Sequence, residues 1–80
     1  MKTNEFLDIL CEALRVERGS LSVKDSPETV ANWDSLGHMS IIAAIESNFG
    51  LDVSEHESLR RFRSLGEIVE TLKGFGVLKD

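Results

Sequence analysis

Apolar side chains recur at intervals of three and four residues in three separate stretches of this 80-residue chain, which is the period of an α-helix. The first stretch runs from about Thr3 to Val16 and the second from about Ser35 to Phe49. The last begins near Leu65 and is closed by Gly74. No stretch shows sustained strand alternation, so the pattern predicts an all-α fold, a bundle of three to four helices.

A short additional helix is predicted from about Glu55 to Arg61, because Ser54-Glu55-His56-Glu57 has the form of a capping box. Ser64-Leu65-Gly66-Glu67 repeats that form before the last helix. The connection over residues 18–33 carries turn signals, including Asp25-Ser26-Pro27, and is predicted to be a long loop. Four apolar residues are expected to pin this loop to the bundle: Leu21, Val23, Val30 and Trp33.

Size and charge narrow the class of protein. Eighty residues suit a single domain, here taken as residues 1–80. One unpaired cysteine, Cys11, read as a packing residue, fits a reducing cytosol, and the start of the chain lacks the apolar core of a signal peptide. A net charge of −5 disfavours nucleic acid as a partner, and no apolar run is long enough to span a membrane. We therefore expect a cytoplasmic monomer.

The second helix is apolar over much of its circumference. Its main arc is predicted to contain Leu36, Met39, Ile42, Ala43, Ile45 and Phe49. Ile41 and Ala44 are then expected on the solvent side, near Gly37. Leu36, Met39 and Ile41 are candidate contacts for a partner protein, although scattered apolar residues on a surface are also normal. Glu46 falls within the arc, so its carboxylate should be paired, hydrogen-bonded or at the rim.

Ser35 lies where the long loop turns into the second helix, so its hydroxyl should project from the helix start. Free backbone N–H groups and the positive end of the helix dipole favour a phosphate ester there. The plain alternative is that Ser35 or Asp34 is only a helix N-cap. A Ser35–His38 nucleophile pair is a further alternative, but no acid is evidently placed to orient the imidazole, and an exposed histidine is the expected state. The two histidines, His38 and His56, predict no metal site.

The order of residues around Ser35 resembles the acyl carrier protein family. The resemblance lies in Asp34-Ser35-Leu36-Gly37-His38-Met39, the apolar run that ends in Ile45-Glu46, and Phe49-Gly50, with the long loop before them and the late helix after them. It implies a four-helix fold in which Ser35 carries 4′-phosphopantetheine, donated by coenzyme A through a separate magnesium-dependent phosphopantetheinyl transferase. Asp34 and Leu36 would belong to that attachment site. The thiol of the arm would hold acyl groups as thioesters for acyl-loading and acyl-processing enzymes.

The second helix departs from the fatty-acid-synthesis type, which is rich in acidic residues along this helix. Only Asp34 and Glu46 are acidic here, and Arg60, Arg61 and Arg63 form a basic run further along the chain. The departure favours a specialised fatty-acid, polyketide or related pathway. An aminoacyl or peptidyl carrier, or a helical interaction module with nothing attached, are the alternatives. A protein of this kind is expected to be a shuttle for other enzymes and not itself an enzyme.

Overall fold

The computed structural model describes residues 1–80 and contains three α-helices and no β-strand. They are α1 (Thr3–Leu14), α2 (Ser35–Phe49) and α3 (Leu65–Gly74). Two single turns of 3-10 helix, Val53–Glu55 and Glu57–Leu59, lie between α2 and α3. The all-α fold predicted from the apolar spacing is confirmed. None of the helices has the length and apolar character that crossing a bilayer requires.

The prediction of a continuous helix from Glu55 to Arg61 is wrong. His56, with φ −133° and ψ 100°, is extended and separates the two 3-10 turns. The cap of the first turn is Asp52, whose carboxylate accepts a hydrogen bond from the Ser54 N–H at 3.0 Å. Val53 and Leu59 are both buried. In a continuous α-helix, the six-residue step between them would point their side chains about 120° apart, so they could not share one buried face. The extended residue turns both side chains into the core, so the bundle has three α-helices.

The core is one cluster of buried apolar residues to which every helix contributes. α1 supplies Phe6, Leu10, Cys11 and Leu14, and α3 supplies Leu65, Ile68, Val69 and Leu72. Cys11 is 2% exposed, so it packs in the core as predicted. At roughly 1.5–3 kcal/mol for each large apolar side chain, this burial is the main term that holds the helices together.

The long loop is attached to the bundle by side chains and by backbone. Leu21, Val30 and Trp33 are buried as predicted, but Val23 is 43% exposed, so its predicted role as an apolar pin is wrong. The Val23 carbonyl instead accepts a hydrogen bond from the Gly66 N–H at 2.8 Å. The Asp25 carbonyl likewise accepts a hydrogen bond from the Leu65 N–H at 3.0 Å. The loop is therefore joined to the start of α3.

Asp25 also organises the turn around itself. Its carboxylate accepts from the Ser22 N–H and from the Thr29 hydroxyl, each at 2.8 Å. These two hydrogen bonds favour the ionised form and hold the pKa of the Asp25 carboxyl below its usual value. The turn is therefore fixed by a charged acceptor, and its stabilisation is lost as the pH falls through that lowered pKa.

The buried face of α2 matches the predicted apolar arc only in part: Ile45 is buried and Ile42 and Phe49 pack against the core, but the rest of the arc is exposed. Gly37, Ile41 and Ile45 are buried at intervals of four residues, whereas Leu36 is 79% and Met39 62% exposed. The expectation that Ile41 faces solvent is wrong. The cause is the close approach at Gly37, where a built Cβ atom would lie 2.2 Å from the Asn32 carbonyl oxygen. Because only glycine fits there, the Gly37 side of α2 is the side that turns inward.

The far end of α2 behaves as the sequence indicates. Gly50 ends the helix in the left-handed region, with φ 65°, and its N–H bonds to the Glu46 carbonyl. The Glu46 carboxylate accepts from the Val53 N–H at 3.4 Å. Glu46 therefore lies at the rim with a hydrogen-bond donor, which is the role that its position predicts.

Candidate functional site

Ser35 is the first residue of α2, and its side chain is exposed. Asp34 caps the helix, since its Oδ1 accepts from the Gly37 N–H at 2.9 Å and its carbonyl accepts from the His38 N–H at 2.8 Å. The capping role therefore belongs to Asp34, and the Ser35 hydroxyl is not used for it. The hydroxyl stands at the positive end of a 15-residue helix.

The start of α2 is held against the end of α1. Asn32 donates from Nδ2 to the Leu14 carbonyl at 2.9 Å and to the Arg15 carbonyl at 3.3 Å. Carbonyl groups at a helix C-terminus have no partner within the helix, so this amide satisfies them. Together with the close approach at Gly37, these bonds fix the backbone that positions Ser35.

His38 attaches the first turn of α2 to the segment around Arg60 and Phe62. The Trp33 Nε1–H donates to His38 Nδ1 at 3.1 Å, and His38 Nε2 lies 2.8 Å from the Arg60 carbonyl oxygen. Because Nδ1 accepts, the ring is the neutral tautomer with its proton on Nε2, which donates to Arg60. The ring also stacks on Phe62 with a centroid distance of 4.7 Å. His38 is half-buried, so the prediction of an exposed histidine is wrong.

This geometry argues against the Ser35–His38 nucleophile pair. A general base needs a free lone pair within hydrogen-bond reach of the serine hydroxyl. The lone pair of Nδ1 is occupied by the Trp33 indole, and Nε2 donates to a backbone carbonyl. His38 is therefore a structural link between the first turn of α2 and the segment around Phe62.

Sequence reasoning did not find the roles of Phe62 and Arg60. They lie more than twenty residues from His38, and only the folded chain brings them together. A signal was available in Phe62, a single large apolar residue within the arginine run, which is the pattern of a short segment with one side chain in the core.

We predict that His38→Ala destabilises the protein by about 2 kcal/mol, because it removes a stacked ring and leaves the buried Trp33 indole N–H without an acceptor. Urea unfolding measures this cost. Trp33 is the only tryptophan, so its emission reports the change locally. His56→Ala is the matched control: it loses an edge contact with Phe75 but no side-chain hydrogen bond, and should cost under about 1 kcal/mol. Equal costs for the two variants would contradict the role given to His38.

An exposed apolar patch lies beside Ser35, made of Leu36, Met39 and Ala43. These positions follow one another along a single face of α2. A shallow surface groove of about 700 Å³ runs from this patch to Ala13 and Arg15 at the end of α1. Of the three residues predicted to contact a partner, Leu36 and Met39 are accessible. Ile41 is fully buried and cannot take part.

The residues at Ser35 are compatible with an attached phosphate ester. The hydroxyl is exposed. Asp34 satisfies the Gly37 N–H, whereas the Ser35 and Leu36 N–H groups, which precede it, have no acceptor within the helix. Such amides and the helix dipole favour a bound anion. A serine hydroxyl on a rigid helix start is what another enzyme needs in order to modify it.

The model of the family described as "Phosphopantetheine attachment site" matches residues 4–72. This span includes all but the first residue of α1, the long loop, α2 and most of α3. Searches of the curated proteins and of the solved structures gave no match. The family carries the 4′-phosphopantetheine prosthetic group. Since its model covers most of the chain, including the exposed serine at the start of α2, this protein belongs to the phosphopantetheine-attachment family of carrier proteins.

Proposed function

We propose that Ser35 is the residue that bears the phosphopantetheine, and that this carrier presents acyl groups to other enzymes without itself catalysing a reaction. The observation that supports the proposal is the exposed Ser35 hydroxyl, which Asp34 leaves free by taking over the helix cap. The family match indicates which prosthetic group is attached, and the exposure of the Ser35 hydroxyl makes its oxygen the candidate attachment atom.

The attachment is a phosphoryl-group transfer in which the protein is the acceptor. The Ser35 oxygen forms a bond to the phosphorus that bears pantetheine, the phosphoanhydride bond of coenzyme A breaks, and adenosine 3′,5′-bisphosphate leaves. The hydroxyl proton passes to a base of a separate, magnesium-dependent phosphopantetheinyl transferase. No base of this chain is required, which agrees with the engagement of both ring nitrogens of His38.

The residues of the chain hold and orient the group. Asp34 fixes the first turn, Asn32 and Gly37 hold that turn against α1, and His38 holds it against Phe62. When bound, the prosthetic group supplies a thiol that holds the cargo as a thioester. The chain itself provides a fixed point of attachment and a surface for recognition.

Leu36 and Met39 are proposed as contacts for the transferase and for the enzymes that load and process the cargo. They are the exposed large apolar residues nearest to Ser35 on α2, and exposed apolar side chains grouped on one face often mark a surface that contacts another protein. Ile41, which is buried, is not part of this surface.

A specialised fatty-acid, polyketide or related pathway is the proposed setting. Only Asp34 and Glu46 are acidic within the region of α2, and both carboxylates accept backbone N–H groups. Apart from these two carboxylates, the exposed face of α2 offers partners apolar and neutral polar side chains. An aminoacyl or peptidyl cargo is the second candidate, because the same surface is compatible with it.

The test is intact mass after incubation of the purified chain with coenzyme A, magnesium and a broad-specificity phosphopantetheinyl transferase. We expect one increment of a single phosphopantetheine group. No increment, under conditions that fully load a reference carrier protein, would contradict the proposal. In the same assay Leu36→Ala should slow loading, because it removes apolar contact area beside the serine. Unchanged loading would argue against the docking role of Leu36.

A further inference from the structure

The surface groove that joins the end of α1 to the exposed patch of α2 lies beside Ser35. Its walls include Asp34 and Leu36, the two residues that flank Ser35 in the chain. The groove continues to Met39 and Ala43, one and two turns further along α2. Its volume of about 700 Å³ is within the range of clefts that hold small organic ligands, roughly 300–1,000 Å³. No residue of α2 lines any of the other three cavities of the surface.

Polar groups of this groove have hydrogen-bonding capacity that the chain itself does not use. Asn32 donates from Nδ2 to the carbonyls at the end of α1, but its Oδ1 accepts no hydrogen bond from the chain. The Ser40 hydroxyl donates to the Leu36 carbonyl and likewise accepts none. Arg15 and Asp34, which have opposite charges, both line the groove, so its charges balance. The groove therefore suits a neutral chain that has N–H donors.

The pantetheine part of the prosthetic group has this chemistry. Beyond the phosphate it is uncharged, with a pair of methyl groups followed by two amides, and it ends in a thiol. The methyl groups match the exposed side chains of Leu36 and Met39. The amide N–H groups match the free acceptors, Asn32 Oδ1 and the Ser40 hydroxyl. The buried face of α2 offers no alternative shelter, since Ile41 is 0% exposed and no cavity is lined by both α2 and α3.

We propose that this groove holds the pantetheine arm on Ser35 while no enzyme is bound. The inference rests on the proposed function, and it adds a resting place for the arm on the chain itself. Weak contacts are sufficient, because a short flexible tether gives the attached group an effective concentration in the millimolar range. The groove is open to solvent, so the thiol stays within reach of other molecules. Because an enzyme that covers Leu36 and Met39 takes the same surface, its docking displaces the arm from the groove.

Nuclear Overhauser effects between the arm and the chain test the proposal. The isotope-labelled chain is loaded from unlabelled coenzyme A, so that filtered spectra select the contacts of the arm with the protein. Intact mass establishes complete loading before each measurement. Ala43→Phe is the test variant, because its ring fills the groove about two turns from Ser35. Asn48→Phe is the matched control, with the same ring at an exposed position of α2 that does not line the groove.

We expect the methyl protons of the arm to show Overhauser effects to the methyl groups of Met39 and Ala43 in the loaded wild type. Ala43→Phe should lose the effect to Met39, and its loaded and unloaded forms should have the same Met39 amide shift. Asn48→Phe should retain both effects. Full loading without these effects, their retention at Met39 in Ala43→Phe, or effects to Ile41 and Ile45 in the core instead would overturn the groove but not the proposed attachment. Absence of loading would overturn both.

Discussion

Ser35→Ala is expected to abolish the addition of phosphopantetheine completely while leaving the fold and its stability nearly unchanged. The substitution removes the only atom proposed to form the phosphate ester. The Ser35 side chain is exposed and Asp34 makes the helix cap, so no packing contact or cap is lost. Alanine is moreover a good helix former. Intact mass measures the modification, and circular dichroism with urea unfolding measures the fold.

Ser40→Ala is the matched control for this variant. Ser40 lies on the same helix, but its hydroxyl donates to the Leu36 carbonyl at 3.1 Å. The control should load as the wild type does. Modification that persists in Ser35→Ala would refute Ser35 as the attachment residue. Hydrolysis of simple esters that is lost in both Ser35→Ala and His38→Ala would instead support a minimal hydrolase.

Gly37→Ala should destabilise the protein by about 3 kcal/mol, although alanine is the better helix former by about 1 kcal/mol. A Cβ atom at this position would lie 2.2 Å from the Asn32 carbonyl oxygen and 2.9 Å from a Leu14 methyl carbon. The nearer atom belongs to the backbone, so α2 and the end of the loop must move apart. Urea unfolding measures the loss. Loading of Ser35 should slow as well, because the first turn of α2 is displaced.

Gly74→Ala is the control for the glycine prediction. Gly74 is the last residue of α3, and a Cβ atom there meets nothing within 4 Å. Its replacement should leave stability unchanged or raise it by up to about 1 kcal/mol. If the two variants had similar stability, the close approach at Gly37 would be refuted.

The helices were predictable because their boundaries are marked by local chemistry. Asp34 and Gly50 bracket α2, and Ser64 caps α3 by accepting from the Glu67 N–H at 3.2 Å. The capping box at α3 forms only in part, since the Glu67 carboxylate accepts from the Arg63 N–H and not from Ser64. Such signals act within four residues, so a single sequence reveals them.

The orientation of α2 could not be predicted in the same way. The helix is apolar on most sides, so the apolar arc does not decide which face is buried. The buried face is set by Gly37, because the absence of a side chain there allows the Asn32 carbonyl to approach the helix closely. This contact involves the loop and α1, and it reverses the expected exposure of Ile41 and Met39. The start of α2 at Ser35 was predictable from local signals, whereas the contacts of His38, which involve a segment more than twenty residues away, were not.

The burial of Cys11 has a practical consequence for work on the loaded protein. The chain contains no other cysteine, and this one is 2% exposed in the core. A maleimide or disulfide reagent added to the native, loaded protein will therefore meet one accessible thiol, that of the prosthetic arm. Labelling stoichiometry can then report how much of a sample carries a free arm, without any need to mutate the polypeptide.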